Sequence, residues 1–333
     1  MRVVLADPPA FTPPYDHELA AALARAGAGV ELVTSRFRFG AVPEPAGYRR
    51  RELFYPLSSR VFHRSRLRLP LKALEHPLGL ARLAATSADV VHVQWLAAPE
   101  LDAWLLRHRA PLVLTAHDLL PRRTARRTGL WRRLFGRFDR IVVHSEHGRE
   151  TLARFGVPDA TLRVIPHPLF QSDPDRRDDG RTVLALGMIR PYKQVEHARA
   201  AVSRVDGARL RVAGDATAFV PEAEIDRALA ESTIAVFPYR AELDQSGALL
   251  RALGAGLPAV VYDVGGLAEP VRAFGAGRVV APGDIAGLSA AIDELLNDGD
   301  ALESARAGAL RARDELTWDA SARAHLELYR ELV

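Results

Sequence analysis

Short apolar runs recur along this chain, each followed by polar residues and then by a stretch of helical composition, and the whole pattern is used twice. MRVVLA opens it, the Pro-rich loop DPPAFTPPYD follows, and HELAAALARAGA reads as a helix that ends at Gly27 and Gly29. VELVTS, ADVVHVQW, APLVLTAHD, FDRIVVHS and LRVIPHP are the further strands expected in the first half, with helices at 99–109 and in EHGRETLARFG. This is the βαβ pattern of an open parallel sheet. Residues 40–85 are basic and weakly patterned, and are expected as helices and loops outside the sheet. The stretch FQSDPDRRDDGR (170–181) is charged, holds Pro and Gly, and lacks aliphatic residues, so the interdomain linker is expected there. After it, TVLALGMI, ARLRVAG, STIAVFPY, LPAVVYD and GRVVAP restart the strand pattern. The expected fold class is α/β: two Rossmann-like, doubly wound parallel-sheet domains facing a cleft. The expected bounds are 1–169 for the first domain, 182–316 for the second, and 317–333 for a closing helix.

Length and composition agree with two ordinary α/β domains. The chain has 333 residues, 48% hydrophobic and 26% charged. No apolar run approaches the roughly 20 residues of a membrane-spanning helix, and the apolar stretch at the N-terminus is too short for a signal-peptide core. The absence of cysteine excludes disulfides and thiolate metal sites and fits a cytoplasmic setting. Of the basic residues only Lys72 and Lys193 are lysines. Arginine stays charged to very high pH, so the pI of 9.7 arises from a net charge of only +4. With no recognition motif beside the charge, nucleic acid is not an expected partner. Two basic segments, 60–72 and 122–138, interleave Arg with Leu, Trp and Phe. They read as solvated helix faces, with peripheral contact to an anionic membrane, at its inner face, as the alternative.

Three segments of the second half carry chemistry. ALGMIRPYKQ (185–194) is a strand running into Arg190 and Lys193, where two cations suit a diphosphate. In FPYRAELDQSGALLRALGAGLP (237–258) a strand ends, a loop carries Glu242 and Asp244, and Ser246 and Gly247 open a helix whose N-terminus suits an anion. In VYDVGGLAEPV (261–271), Gly265 and Gly266 form a strand-to-helix turn ahead of Glu269. In the first half, His117 ends the strand LVLTAHD, and Asp118 beside it either orients it or caps the next turn. His92, mid-strand, reads first as a hydrogen-bonded core residue and second as an acceptor-side group; His144 ends a strand, and His167 reads as structural.

GMIRPYK, ELDQSGALLRALGAGLPAVVYDVGGLAE and LTWDASARAHLELY resemble the retaining glycosyltransferases of GT-B fold, in particular family 4, and the resemblance covers nearly the whole chain. It implies a nucleotide-sugar donor (UDP-, GDP- or ADP-sugar) held mostly by the C-terminal domain, and a closing helix that packs back on the first domain. Arg190 and Lys193 match the basic pair on the donor diphosphate. The loop from Asp244 to Gly247 matches the one that contacts sugar and phosphate, and His117 the position facing the transferred sugar. The acceptor is left open among glycan, lipid and small molecule. Such enzymes commonly need no metal and no separate cofactor, and the nearest DxD-like pair, ELD at 242–244, sits in the donor loop. The implied chemistry is front-face attack, with the departing phosphate helping to deprotonate the acceptor.

Two departures stand against that pattern. Arg251 occupies the position where the family usually has a glutamate that binds the donor ribose, and arginine accepts no hydrogen bond. The stretch 194–236 is shorter than usual. The competing reading is therefore a GT-B scaffold that binds a nucleotide or glycan without transfer. A nucleotide-sugar epimerase is disfavoured because the glycosyltransferase signatures run through both loops, and a dehydrogenase because the first βα loop lacks GxGxxG.

Overall fold

Twelve strands form two all-parallel sheets in the computed structural model, which describes residues 1–38, 40–60, 68–120, 124–215, 220–240 and 244–333. The chain divides into two units: Met1–Pro166 with Trp318–Val333, and His167–Thr317. The first unit runs β1 (Arg2–Asp7), α1 (Pro13–Arg25), β2 (Gly29–Ser35), β3 (Arg49–Phe54), α2 (Arg68–Ala84), β4 (Val90–Val93), α3 (Pro99–Leu105), β5 (Leu112–Thr115), α4 (Thr128–Phe135), β6 (Arg140–Val143), α5 (Glu146–Phe155) and β7 (Leu162–Val164). Its strand order is β3-β2-β1-β4-β5-β6-β7, so the winding reverses between β1 and β4. The central strands β4 and β5 are buried at every position, as a sheet covered on both faces requires.

The second unit runs β8 (Thr182–Leu186), α6 (Val195–Val202), β9 (Arg209–Ala213), α7 (Glu222–Ala230), β10 (Ile234–Phe237), α8 (Gly247–Gly254), β11 (Ala259–Tyr262), α9 (Ala268–Phe274), β12 (Gly277–Val280), α10 (Ile285–Asn297) and α11 (Gly299–Glu315). Its order is β12-β11-β10-β8-β9, with the reversal between β8 and β10. Residues 170–181, expected as a linker, pack within this unit: Arg176 donates to the Ser232 carbonyl at 2.8 Å, and Asp178 pairs with Arg306 at 3.1 Å.

One strand departs from expectation. β3, RRRELF, lies inside the stretch read as outside the sheet. It is an edge strand, and its arginines face solvent or pair outward, as Arg51 does with Glu31 at 2.9 Å. Phe54, with half-buried Leu53 beside it, anchors it inward, packed so closely under Gly79 of α2 that a Cβ there would lie 2.3 Å from the ring. A helix α12 (Trp318–Arg330) completes the first unit by packing on α1, with Arg25 and Asp319 paired at 2.6 Å.

Candidate active site

In the second unit the expected residues stand at the carboxyl edge of neighbouring strands β8, β10 and β11, across the point where the winding reverses. β8 ends in Gly187, whose φ of +91° turns the chain into Arg190 and a single 3₁₀ turn, Pro191–Lys193. That turn folds Lys193 back under the strand end. Its Nζ donates to the Leu186 carbonyl at 3.0 Å and lies 5.2 Å from the centre of the Tyr239 ring. A Cβ on Gly187 would stand 2.9 Å from this ammonium and 3.4 Å from Cβ of Ala248, so the glycine leaves the space the cation fills. Lys193 is buried, and burial, helped by the nearby Arg190 charge, lowers its pKa to about 8. Arg190 itself is exposed.

Ser246 is the N-cap of α8, its Oγ accepting from Leu249 N at 3.3 Å, an arrangement worth about 1 kcal/mol. The cap leaves the amides of Gly247 and Ala248 as first-turn donors without a partner inside the helix. Among the described residues outside its own helix and its chain neighbours, nothing lies within 4 Å of where a Gly247 Cβ would be. Ser246 Oγ stands 3.5 Å from the hydroxyl of buried Tyr239, which links the start of α8 to the Lys193 platform. Asp244 is buried just before the cap. Glu242 lies outside the described residues. Gly265, with φ +52°, and buried Gly266 make the turn after β11, and Glu269 sits half-buried in the first turn of α9. Arg251 points at neither turn: its guanidinium is paired with Glu222 of α7 and lies 5.3 Å from the centre of the Phe170 ring.

In the first unit His117 follows β5 and stacks on Trp95, with ring centres 4.9 Å apart and planes 14° from parallel. Tyr15 meets it edge-on at 4.7 Å, and its Nε2 lies 3.2 Å from Gln94 Oε1. His117, Trp95 and Gln94 border an open pocket of about 430 Å³ whose inner wall includes Leu114, Trp131 and Phe135. Asp118 is exposed at its edge. Gln94 is fully buried, and its Nε2 has no hydrogen-bond partner among the described residues.

His92 does not border this pocket. It is fully buried, with Nδ1 2.6 Å from the Tyr329 hydroxyl and Nε2 2.7 Å from Thr115 Oγ1, and burial holds its pKa well below the usual value. It ties β4 to β5 and α12. His144, also buried, lies 2.9 Å from the Ile165 carbonyl through Nδ1, and its pKa falls to about 4.

Sequence reasoning passed over Gln94, Trp95, Tyr239 and the buried pair Asp7 and Asp16. Asp7 ends β1 and accepts from Phe11 N at 2.7 Å; Asp16 lies against it from α1, and burial raises the pKa of both carboxyls. The usable signal was position: Asp7, Gln94 and Tyr239 all stand at or just beyond a strand's carboxyl end.

Comparison with known proteins follows the same division. The glycosyltransferase family 4 profile matches residues 15–169, and the profile of glycosyl transferases group 1 matches residues 180–298. An exopolysaccharide phosphotransferase of Streptomyces coelicolor is 28% identical over 59% of this chain, which spans only 24% of that protein's length. A D-inositol 3-phosphate glycosyltransferase of Mycobacterium marinum is 24% identical over 80% of this chain and 69% of its own. Among solved structures, sucrose-phosphate synthase of Thermosynechococcus elongatus superposes with a TM-score of 0.74 at 19% identity, covering 100% of this chain and 99% of the other. HepE of Anabaena, in complex with UDP-glucose, gives 0.69 at 16% identity with both chains covered in full.

Proposed function

We propose that this chain, which belongs to the group 1 glycosyltransferases of family 4 type and GT-B fold, moves a hexose from a UDP-, GDP- or ADP-sugar to an acceptor hydroxyl, with retention of configuration and no divalent metal. The observation that carries the reading is the Lys193 ammonium, buried on the Leu186 carbonyl beside the opening turn of α8. A buried cation with a lowered pKa is costly unless an anion arrives to use it.

As the glycosidic bond breaks, negative charge builds on the leaving diphosphate. Lys193 and Arg190 neutralise it, and the amides of Gly247 and Ala248 donate to it from a fixed position, so little reorganisation is needed at the moment of reaction. Asp244 and Ser246 hold the loop ahead of α8, while Gly265, Gly266 and Glu269 serve the donor from the turn after β11. His117, held by Trp95 and Gln94, hydrogen-bonds the transferred sugar, and Asp118 lies at the acceptor side. The acceptor attacks from the face the diphosphate leaves, and a departing phosphate oxygen takes the acceptor proton.

Calorimetry against UDP, GDP and ADP, with and without magnesium, tests this. Saturable binding of one nucleotide, unchanged by chelator, supports the reading and selects the donor class; binding that appears only with magnesium overturns the metal-independent part. Arg251 favours one other reading, a scaffold that binds without transfer, because its side chain is committed to Glu222 and Phe170. Under that reading the nucleotide binds, yet neither hydrolysis nor transfer of the matching sugar is seen with any acceptor.

A further inference from the structure

Helix α2 buries two polar side chains among its inward Leu80 and Leu83, and leaves a second apolar stripe facing outward. On the inner side, Glu75 accepts from Leu57 N at 2.7 Å and Ser58 N at 3.0 Å, and His76 bridges the Tyr55 hydroxyl at 2.7 Å and Asp102 at 2.6 Å; all four side chains are buried. On the outer side, Leu69, Leu74 and Leu78 are 70%, 72% and 59% exposed, and Pro70, Ala73 and Ala81, also exposed, complete the stripe at spacings of three and four. A helix solvated on that side would show the reverse arrangement.

The surroundings are cationic. Between residues 57 and 137 the sequence has 15 Lys and Arg against five Asp and Glu, although the whole chain nets only +4. Two of those five acids, Glu75 and Asp102, are buried. α3 packs against both α2 and α4, and on it Trp104, 58% exposed, carries the Arg133 guanidinium 3.3 Å from its ring centre. Arg82 and Arg132 are exposed nearby in sequence, at the end of α2 and in α4. The basic segments 60–72 and 122–138 flank these helices, with 61–67 and 122–123 outside the described residues.

We propose that the outer face of α2, with the Trp104–Arg133 pair, seats on the surface of an anionic lipid bilayer, lying in the interface. A second copy of the chain fits less well, because pairing two such faces brings two strongly positive surfaces together. Nucleic acid would use the arginines and leave the leucine stripe in water. An anionic bilayer takes both: acyl chains receive the leucines, headgroups receive the arginines, and tryptophan sits at the boundary. Among the described residues no helix is long and apolar enough to cross a membrane. The inference is independent of the transfer reaction.

Vesicle flotation tests it, using phosphatidylcholine alone and phosphatidylcholine with about one third phosphatidylglycerol. The full chain is expected to float with the anionic vesicles and not with the neutral ones. L74D/L78D changes only exposed positions, so its melting temperature should hold while its bound fraction falls about tenfold or more. R132A/R133A should bind a few-fold less and show a shallower salt dependence. Failure of the unaltered chain to float, or undiminished flotation of L74D/L78D, overturns the proposal. So does concentration-dependent dimerisation that L74D/L78D abolishes in a protein that ignores vesicles, since a second copy then covers the face.

Discussion

Replacing Lys193 with methionine should make the unliganded protein more stable while removing its grip on the donor. Holding the ammonium in its buried place costs about 3 kcal/mol, the equivalent of moving its titration from 10.5 to about 8. Methionine fills similar space without that cost, but leaves the Leu186 carbonyl without its donor, a loss of about 1–2 kcal/mol. The net gain is about 1–2 kcal/mol, or a rise of roughly 2–8 °C in the melting temperature of a unit this size. The pH dependence gives a second signature. Between pH 8 and 10.5 the unfolded chain holds this proton and the folded protein releases it, so stability climbs with pH in that window. The climb should disappear in K193M. All four tryptophans, Trp95, Trp104, Trp131 and Trp318, lie in the first unit. A transition seen by circular dichroism and missed by tryptophan fluorescence therefore belongs to the second unit, where the change is made. Calorimetry with the selected nucleotide completes the assay: affinity should fall at least a hundredfold, about 3 kcal/mol, for one lost charge-assisted contact in a desolvated site. A K193M protein that melts lower than its parent, or one that binds nucleotide unchanged, would refute the reasoning.

Three further outcomes follow from the same geometry. Gly187→Ala forces a Cβ into a left-handed position against the ammonium, so stability should drop by about 1–2 kcal/mol in denaturant titrations and nucleotide affinity should weaken with it. Buried His144 and His325, both lowered to about 4, and His92, also lowered, take up protons on unfolding in mild acid, while the raised Asp7 and Asp16 carboxyls oppose them. With three imidazoles against two carboxyls, the first unit should lose stability as pH falls from 6.5 toward 4, read by tryptophan fluorescence, and a flat profile would contradict this. Asp16→Asn keeps a hydrogen bond to Asp7 without needing a proton. The raised carboxyl contributes stability that is lost as pH rises through its folded value, so the variant should match the parent in mild acid and exceed it in melting temperature at alkaline pH.

Strand content was readable wherever both sheet faces are covered, because VVHV, LVLT, IAVF and AVVY have no choice but burial. β3 was unreadable for the opposite reason: an edge strand satisfies its hydrogen bonds on one side and keeps its arginines wet, so its composition looks like loop. Lys193 stood out because the chain otherwise writes its cations as arginine, and strand-end position told the rest. Tyr239 and Gln94 gave no such signal, since their importance lies in what they touch across elements. Arg251 shows the limit most clearly. Its identity posed a question about the donor, yet its partner, Glu222, comes from the very segment that looked trimmed, and no spacing rule joins positions 29 residues apart across two helices. The basic tracts were noticed for their charge. That α2 turns Leu69, Leu74 and Leu78 outward follows from which side the buried Glu75, His76, Leu80 and Leu83 claim, and only tertiary contacts reveal it.

The histidine at the heart of the first unit sets a schedule for the nascent chain. His92 is bonded on one side to Thr115, which emerges soon after it, and on the other to Tyr329, 237 residues later. At ordinary translation speeds the second partner arrives about 10–50 s after the first. Throughout that interval the opening half of the protein holds a neutral imidazole and an uncovered apolar seam where Trp318, Leu326 and Tyr329 will dock. The second unit, built from the single stretch 167–317, can close before the first is finished. Vectorial synthesis thus runs against the usual order here: the half made first is the half completed last, and it is the one a holding chaperone has most time to find.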